Sequence, residues 1–454
     1  MPSHPSAQEV AGRKGDQRHA ALAGSRAWTI IAAIVSLLSA VAQAADSPRI
    51  QRLEQSLKSE GTKATDAFWR EIDSAGTPLI ERVPGRADRM WVTFLWRQTA
   101  HRDATDIGVV GIFNQTPWQS HDGLTQLTGS DVWYRTYELE TDARAPYAFS
   151  WPEGRVTDEK PLRKELRVGG MREIFPDPRA RKQIPEVFFA RETPVAEDYF
   201  EGPDARPERW LQQRDGVPRG AVAEREVTSR ILNNTRKVAI YTPPGHSKKN
   251  GPYALVVLFD GLSYLQSAAL PTQLDNMRAD GVLPPVVAIM IDYIDAAHRQ
   301  SELSGEPAFG RFIVEELLPG LRGELHLTRD PRKAVIAGAS RGGLAASYIA
   351  IRHPQIFGNV LAQSGSFSWA PKGEPDGALL REVAEKPALP VRFYMVAGTW
   401  ENPDRMLRYS REMRDLLEKK RYRVSYSEYA GGHTFLNWRA TLPDGLITLI
   451  GQQR

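Results

Sequence analysis

From residue 224 onward the chain alternates short, wholly apolar runs with longer amphipathic stretches. The apolar runs are VAIYTPP (Val238 to Pro244), ALVVLFDG (Ala254 to Gly261), PVVAIMID (Pro285 to Asp292), KAVIAGAS (Lys333 to Ser340) and VRFYMVAG (Val391 to Gly398). Runs of this length without alternation are expected of parallel strands covered on both sheet faces. Between them, Gly310 to Arg322 and Arg405 to Lys420 have helical periodicity. Alternating strand and helix predicts a doubly wound α/β domain over residues 223–454. The first half has a different rhythm. MWVTFLWR (Met90 to Arg97) and DVWYRTYEL (Asp131 to Leu139) are rich in aromatic and β-branched residues and partly alternate. They predict a smaller β-sandwich within residues 46–151, with the aromatic side chains as its core. Residues 152–222 are charged, Pro-rich and without a clear period, the pattern of a linker.

The first 45 residues stand outside this scheme. Arg13, Lys14, Arg18 and Arg26 precede an apolar run from Ala27 to Val41, and Ala42-Gln43-Ala44 follows. That order is expected of a secretory signal peptide cleaved near residue 45, which places the mature protein in the periplasm. Composition adds two exclusions. The chain has 454 residues and no cysteine, so disulfides, thiolate catalysis and cysteine-ligated metals are excluded. A net charge of +4 is too diffuse to imply nucleic acid.

Covalent chemistry must then use Ser, Thr, Lys, Asp or Glu. GASRGG (Gly338 to Gly343) contains Gly-x-Ser-x-Gly between an apolar strand and the apolar helix LAASYIAIRH (Leu344 to His353). In that context Ser340 is expected on a tight strand-to-helix turn, as a nucleophile. The backbone N–H of Arg341, opening the helix, is the first oxyanion donor. A second is expected from Gly261 or Leu262, after the strand Ala254 to Phe259. The base should follow in the chain, and His433 in GGHTFLNWR (Gly431 to Arg439) fits; His353 lies too early. The acid should lie in GTWENPD, after the strand Val391 to Gly398. Glu401 and Asp404 both qualify, Glu401 being nearer the strand end, and a Ser–His dyad stays open.

Several of these stretches together resemble one family, the enterochelin (ferric enterobactin) esterases. NTRKVAIYTPPG (Asn234 to Gly245), LDNMRADGVLPPVVAIMID (Leu274 to Asp292), RQSEL (Arg299 to Leu303), GASRGGLAA and GGHTFLNWR carry the resemblance in the second half. GTPLIE (Gly76 to Glu81), VTFLWR and GSDVWYRTY (Gly129 to Tyr137) carry it in the first. The resemblance implies an α/β-hydrolase domain preceded by a smaller β domain. It also implies hydrolysis of the ester bonds of a catecholate tri-serine lactone. Ser340 and His433 fall on the family's nucleophile and base, and Glu401 on the acidic position. No cofactor is called for, since iron would arrive with the substrate. A ferric tris-catecholate is anionic, so Arg341 and Arg439 are expected near it. One departure is DPRA (Asp177 to Ala180), where the family has Asp-Pro-Leu-Asn. The rival readings are a carboxylesterase of the esterase D or feruloyl type, and a siderophore-binding protein without turnover.

Overall fold

The computed structural model describes residues 47–99, 104–111, 122–156, 160–167, 170–186 and 195–452, and the expected signal peptide lies outside them. The C-terminal half is built on one eight-stranded sheet. Its strands are β1 (Ala221–Ser229), β2 (Asn234–Thr242), β3 (Ala254–Phe259), β4 (Val286–Ile291), β5 (Ala334–Ala339), β6 (Asn359–Gln363), β7 (Arg392–Gly398) and β8 (Arg423–Tyr429). The spatial order is β1-β2-β4-β3-β5-β6-β7-β8. The β1–β2 and β2–β4 pairs are antiparallel, and every later pair is parallel.

The unbroken apolar runs follow from this geometry. Leu255, Val257 and Phe259 of β3 enter one core, while Ala254, Val256 and Leu258 enter the core on the opposite face. Successive side chains point to opposite sides of a strand, so a strand covered twice has no polar phase. Helix Arg341–Arg352 covers the first face, and helix Phe435–Ile450 covers the second.

The N-terminal part is the expected sandwich, larger than its predicted bounds. Its first sheet pairs Leu79–Arg82, Arg89–Arg97, Val132–Glu140 and Thr125–Gln126. Strand Arg89–Arg97 is buried on both faces. Met90, Val92, Phe94 and Trp96 enter the sandwich core, where Trp96 meets Trp151 edge-on at 4.8 Å. Leu95 points the other way, into a second core with Trp69 and Ile72. Those two belong to a helix pair, Pro48–Glu60 and Thr62–Ala75, that the sequence reading had included in the sandwich.

Residues 152–222 are not a linker. Strands Arg163–Arg167, Gly170–Phe175, Gln183–Glu186 and Val195–Glu201 complete the second sheet around Arg144–Pro152. Their sequences are too charged to show a clean alternation, because charged residues such as Arg172, Glu173 and Asp198 occupy buried positions in them. Asp177 of the DPRA stretch is buried, accepting from Tyr147 at 2.8 Å, while its N–H donates to Asp198 at 2.6 Å. The connection proper is residues 202–220, strapped to the catalytic domain. Trp210 donates to Asp280 at 2.7 Å, and Arg214 donates to Asp280 at 2.8 Å and to the Asn276 carbonyl at 2.9 Å.

Candidate active site

The site gathers at the carboxyl edge of the eight-stranded sheet, where β3, β5, β6 and β7 end. Ser340 joins β5 to helix α1 (Arg341–Arg352) with φ 57° and ψ −121°, a backbone region that side-chain-bearing residues rarely occupy. Such a turn is possible because strand and helix nearly touch. A methyl group on Gly338 would lie 2.4 Å from the carbonyl carbon of Gly342. Three backbone bonds fix the turn: Ser340 N–H to the Gln363 carbonyl at 2.8 Å, and Ser366 and Leu344 N–H to the Ser340 carbonyl at 3.0 and 3.2 Å. The Ser340 hydroxyl lies 3.3 Å from that of Ser366 and makes no hydrogen bond to the His433 ring in this rotamer. Catalytic contacts commonly tighten only around a substrate.

His433 sits in the turn between β8 and helix α2 (Phe435–Ile450). Its ring packs edge-on against Trp438, centroids 4.8 Å apart, and its Nδ1 lies 3.0 Å from Oε2 of Glu401. Glu401 is buried, and its second oxygen is occupied. Oε1 accepts from the Ser364 hydroxyl at 2.5 Å, the Gly398 N–H at 2.9 Å and the Tyr429 hydroxyl at 3.4 Å. Burial beside this carboxylate pushes the Tyr429 phenol well above its usual range, so it remains a donor. Asp404 is exposed, one turn further on, and has no contact with His433 among the described residues. Of the two acids left open by the sequence, Glu401 is the one that the fold brings to the imidazole.

The turns carrying Glu401 and His433 are buttressed by the N-terminal domain. Trp400, beside Glu401, and Ala430, near His433, are buried in the sandwich's aromatic core. Arg144 N–H donates to the Ala430 carbonyl at 3.2 Å, and Trp400 N–H to the Gly431 carbonyl at 3.1 Å. The Asn437 amide donates to the carbonyls of both Arg144 and Gly432, at 3.3 and 3.2 Å. Sequence reasoning missed these contacts, as it missed Ser364 and Tyr429. A signal for Ser364 was present: the apolar NVLAQ of β6, followed by Ser-Gly-Ser, is another short strand with a polar exit.

The second oxyanion turn is also defined. Asp260 ends β3 in a left-handed conformation, φ 56°, and its buried carboxylate forms a two-point pair with Arg299 at 2.5 and 2.8 Å. This accounts for Arg299 of the RQSEL stretch, whose Glu302 pairs with Arg236. Gly261 is required for a reason other than substrate approach: a methyl group there would strike the Met290 carbonyl at 2.7 Å. Leu262 N–H faces the Asp292 carboxylate, so Gly261 is the better placed of the two donors.

The two arginines expected near substrate differ. Arg341 is half-buried and donates to Ser304 at 2.5 Å; burial, with repulsion from Arg299, lowers its pKa from the usual value. No carboxylate pairs with it among the described residues. Arg439 is spent elsewhere. It is buried against Glu208 at 2.6 and 3.0 Å and against Tyr199 at 3.3 Å, tying α2 to the connecting segment. A guanidinium held this way is a structural ion pair, which corrects its expected place at the substrate.

Residues 229–449 match the Esterase family, and residues 91–211 match the family described as enterochelin esterase, N-terminal. An iron(III) enterobactin esterase of Dickeya dadantii is 31% identical over 418 residues, covering 85% of this chain and 93% of its own. The crystal structure of a ferric enterobactin esterase from Salmonella typhimurium superposes with a TM-score of 0.69 at 25% identity, over 85% of this chain and 98% of that one. An enterobactin esterase from Shigella flexneri, crystallised in the presence of enterobactin, gives 0.67 at 25% identity, over 83% and 97%. The chain therefore belongs to the enterochelin esterase family, as a two-domain carboxylic ester hydrolase of the α/β-hydrolase fold.

Proposed function

We propose that this chain hydrolyses the seryl ester bonds of a catecholate tri-serine lactone siderophore and so helps to release its iron. The observation that carries the mechanism is the Glu401–His433 contact of 3.0 Å, set beside the strained turn of Ser340. Ser340 acts as nucleophile. Rotation of its hydroxyl from Ser366 towards Nε2 of His433 lets the imidazole take its proton as Oγ attacks the ester carbonyl. The Arg341 and Gly261 N–H groups receive the oxyanion, since each opens a helix and is free of an intrahelical partner. The tetrahedral adduct collapses, the departing serine alkoxide takes the proton from His433, and water repeats the cycle on the acyl-enzyme. Glu401 keeps a proton on Nδ1, which leaves Nε2 free as the base, and stabilises the imidazolium.

Arg341, one residue beyond the nucleophile and without a carboxylate partner, is the cation that best suits an anionic catecholate. Iron enters as cargo of the substrate. The basic and apolar order before Ala44 supports export, with the mature chain beginning near Ala45 in the periplasm.

Mass spectrometry of products from catecholate siderophores, iron-loaded and iron-free, and from simple acyl esters tests the substrate. Linear dimers and monomers of the dihydroxybenzoyl-serine unit are expected. Turnover of simple esters with the lactone left intact would reject it. Sequencing the amino terminus of native protein tests export; an intact Met1 in the cytosol would reject it.

A further inference from the structure

At the edge of the sheet opposite Ser340, where β3 and β5 begin, the surface holds a hollow of about 590 Å³. Lys248, Arg322, His326 and Arg329 line it, with Gly251 and Pro252 among the rest, and no carboxylate does. The acidic residues adjacent in sequence are engaged elsewhere: Glu324 with Arg225 at 2.8 Å and Asp330 with Arg332 at 2.9 Å.

Arg322 is the unusual member. It lies in the last turn of helix Leu318–Leu325, and its Nε is buried without a hydrogen-bond partner. No ion pair neutralises Arg322, Arg329 or Lys248 among the described residues. Desolvation and repulsion from Arg329 both hold the Arg322 guanidinium below its usual pKa. A cation at a helix C-terminus has a bland explanation in the helix dipole. That accounts for a solvated charge near the last carbonyls. It does not account for a desolvated Nε, nor for two further unpaired cations around the same hollow. Arg322 is the half-buried member, and Lys248 and Arg329 are exposed. A half-buried cation with like charges beside it is unfavourable unless an anion completes it.

The wall is also firmly built. His326 adopts φ 51° and ψ 44° after the helix. Its ring is stacked on that of His246 at 6.1 Å, which stacks on Tyr253 at 4.7 Å and lies 3.2 Å from the Leu325 carbonyl. Arg322 and His326 therefore stand on a braced turn.

We propose that this hollow is an oxyanion site that takes a phosphate group, with Arg322 at its base and Arg329 and Lys248 at its rim. Guanidinium forks match the tetrahedral oxygens of phosphate with two parallel bonds, which suits Arg322 and Arg329. The group comes either from free phosphate or from an anionic phospholipid headgroup. The site is separate from the esterase centre and does not rest on the substrate proposed above.

The full chain is titrated with inorganic phosphate against sodium chloride of equal ionic strength, following the melting temperature and the heat of binding. In parallel it is sedimented with phosphatidylglycerol and phosphatidylcholine vesicles. The variants are Arg322→Gln and Arg329→Gln, the second at an exposed residue outside the core. Phosphate should raise the melting temperature by roughly 3 °C at saturation. Both variants should lose most of that gain while keeping esterase turnover. Phosphatidylglycerol-specific sedimentation lost in both variants would support the same site with a lipid source. Phosphate acting no better than chloride, with no phosphatidylglycerol preference, would overturn the proposal. So would binding that survives both substitutions. Arg322→Gln should be at least as stable as the parent without phosphate; a loss of stability there would make Arg322 a structural cation and also overturn it.

Discussion

Oε2 of Glu401 lies 3.0 Å from Nδ1 of His433, while Oε1 of the same carboxylate accepts from Ser364, Gly398 and Tyr429. The arrangement has a direction. Three donors surround one oxygen, so in Glu401→Gln they select the amide oxygen and turn the NH2 towards His433. Nδ1 must then accept, the proton moves to Nε2, and the imidazole can no longer act as base. Glu401→Gln should lose up to about 10⁴-fold in kcat. Asp404→Asn, exposed and uninvolved, should stay near the parent rate. Measuring kcat/KM of both on one ester, with circular dichroism to check folding, decides between them; the reverse order would move the acid to Asp404.

Backbone strain at Ser340 predicts a trade between activity and stability. A non-glycine residue at φ 57°, ψ −121° costs on the order of 1–3 kcal/mol. Ser340→Gly should therefore be inactive yet more stable by about 1 kcal/mol in urea denaturation, the larger freedom of glycine in the unfolded chain offsetting part of the relief. Ser340→Ala should be equally inactive, by about 10³-fold or more, without the gain in stability. An active Ala variant would remove Ser340 from the mechanism.

Asn437 is a positioning residue, since its amide ties the His433 turn to the Arg144 strand. Asn437→Ala leaves two carbonyls without this donor, at about 1–3 kcal/mol of stability. The His433 turn should relax, lowering kcat by roughly 10- to 100-fold with little change in KM. The Nδ1 proton resonance of His433 provides a second readout: it should broaden or move upfield in this variant. An unchanged kcat at reduced stability would make the buttress purely structural.

Asp292, at the exit of β4, gives a pH-dependent test. Burial raises its pKa from 3.8 to about 6, with repulsion from Asp260 adding to it, against N–H donors from Tyr293 and Leu262. A carboxyl with a raised folded pKa costs no stability below about pH 3, where it is protonated in both states. The cost grows between about pH 3 and 6 and is complete above, at about 3 kcal/mol. Asn can accept the same two N–H bonds without the charge. Asp292→Asn should gain up to that amount at pH 8 and almost nothing at about pH 3 in urea unfolding. Equal gains at both pH values would show that charge is not the cause.

Much of the catalytic half was legible in the sequence because its determinants are local. A strand covered on both faces must be continuously apolar, so five of the eight strands announce themselves as runs. Gly338 and Gly342 flank Ser340 because strand and helix touch there, whatever the rest of the chain does. Chain order then puts a histidine after the nucleophile. The choice between Glu401 and Asp404 was not local: they stand three residues apart on one turn. Only the packing of Trp400 into the sandwich, and the donors from β6, β7 and β8, turn Glu401 inward. Arg439 was misplaced for the same reason, since its partner Glu208 lies 231 residues earlier in the chain. The strands between 152 and 222 were hidden because charged residues, Arg172, Glu173 and Asp198 among them, occupy buried positions there and break the apolar alternation. Sequence determined which chemistry the chain could perform, through residue types fixed by backbone geometry. Tertiary structure decided which charged groups are spent on holding the two domains together and which are left for the reaction, because pairing depends on proximity in space.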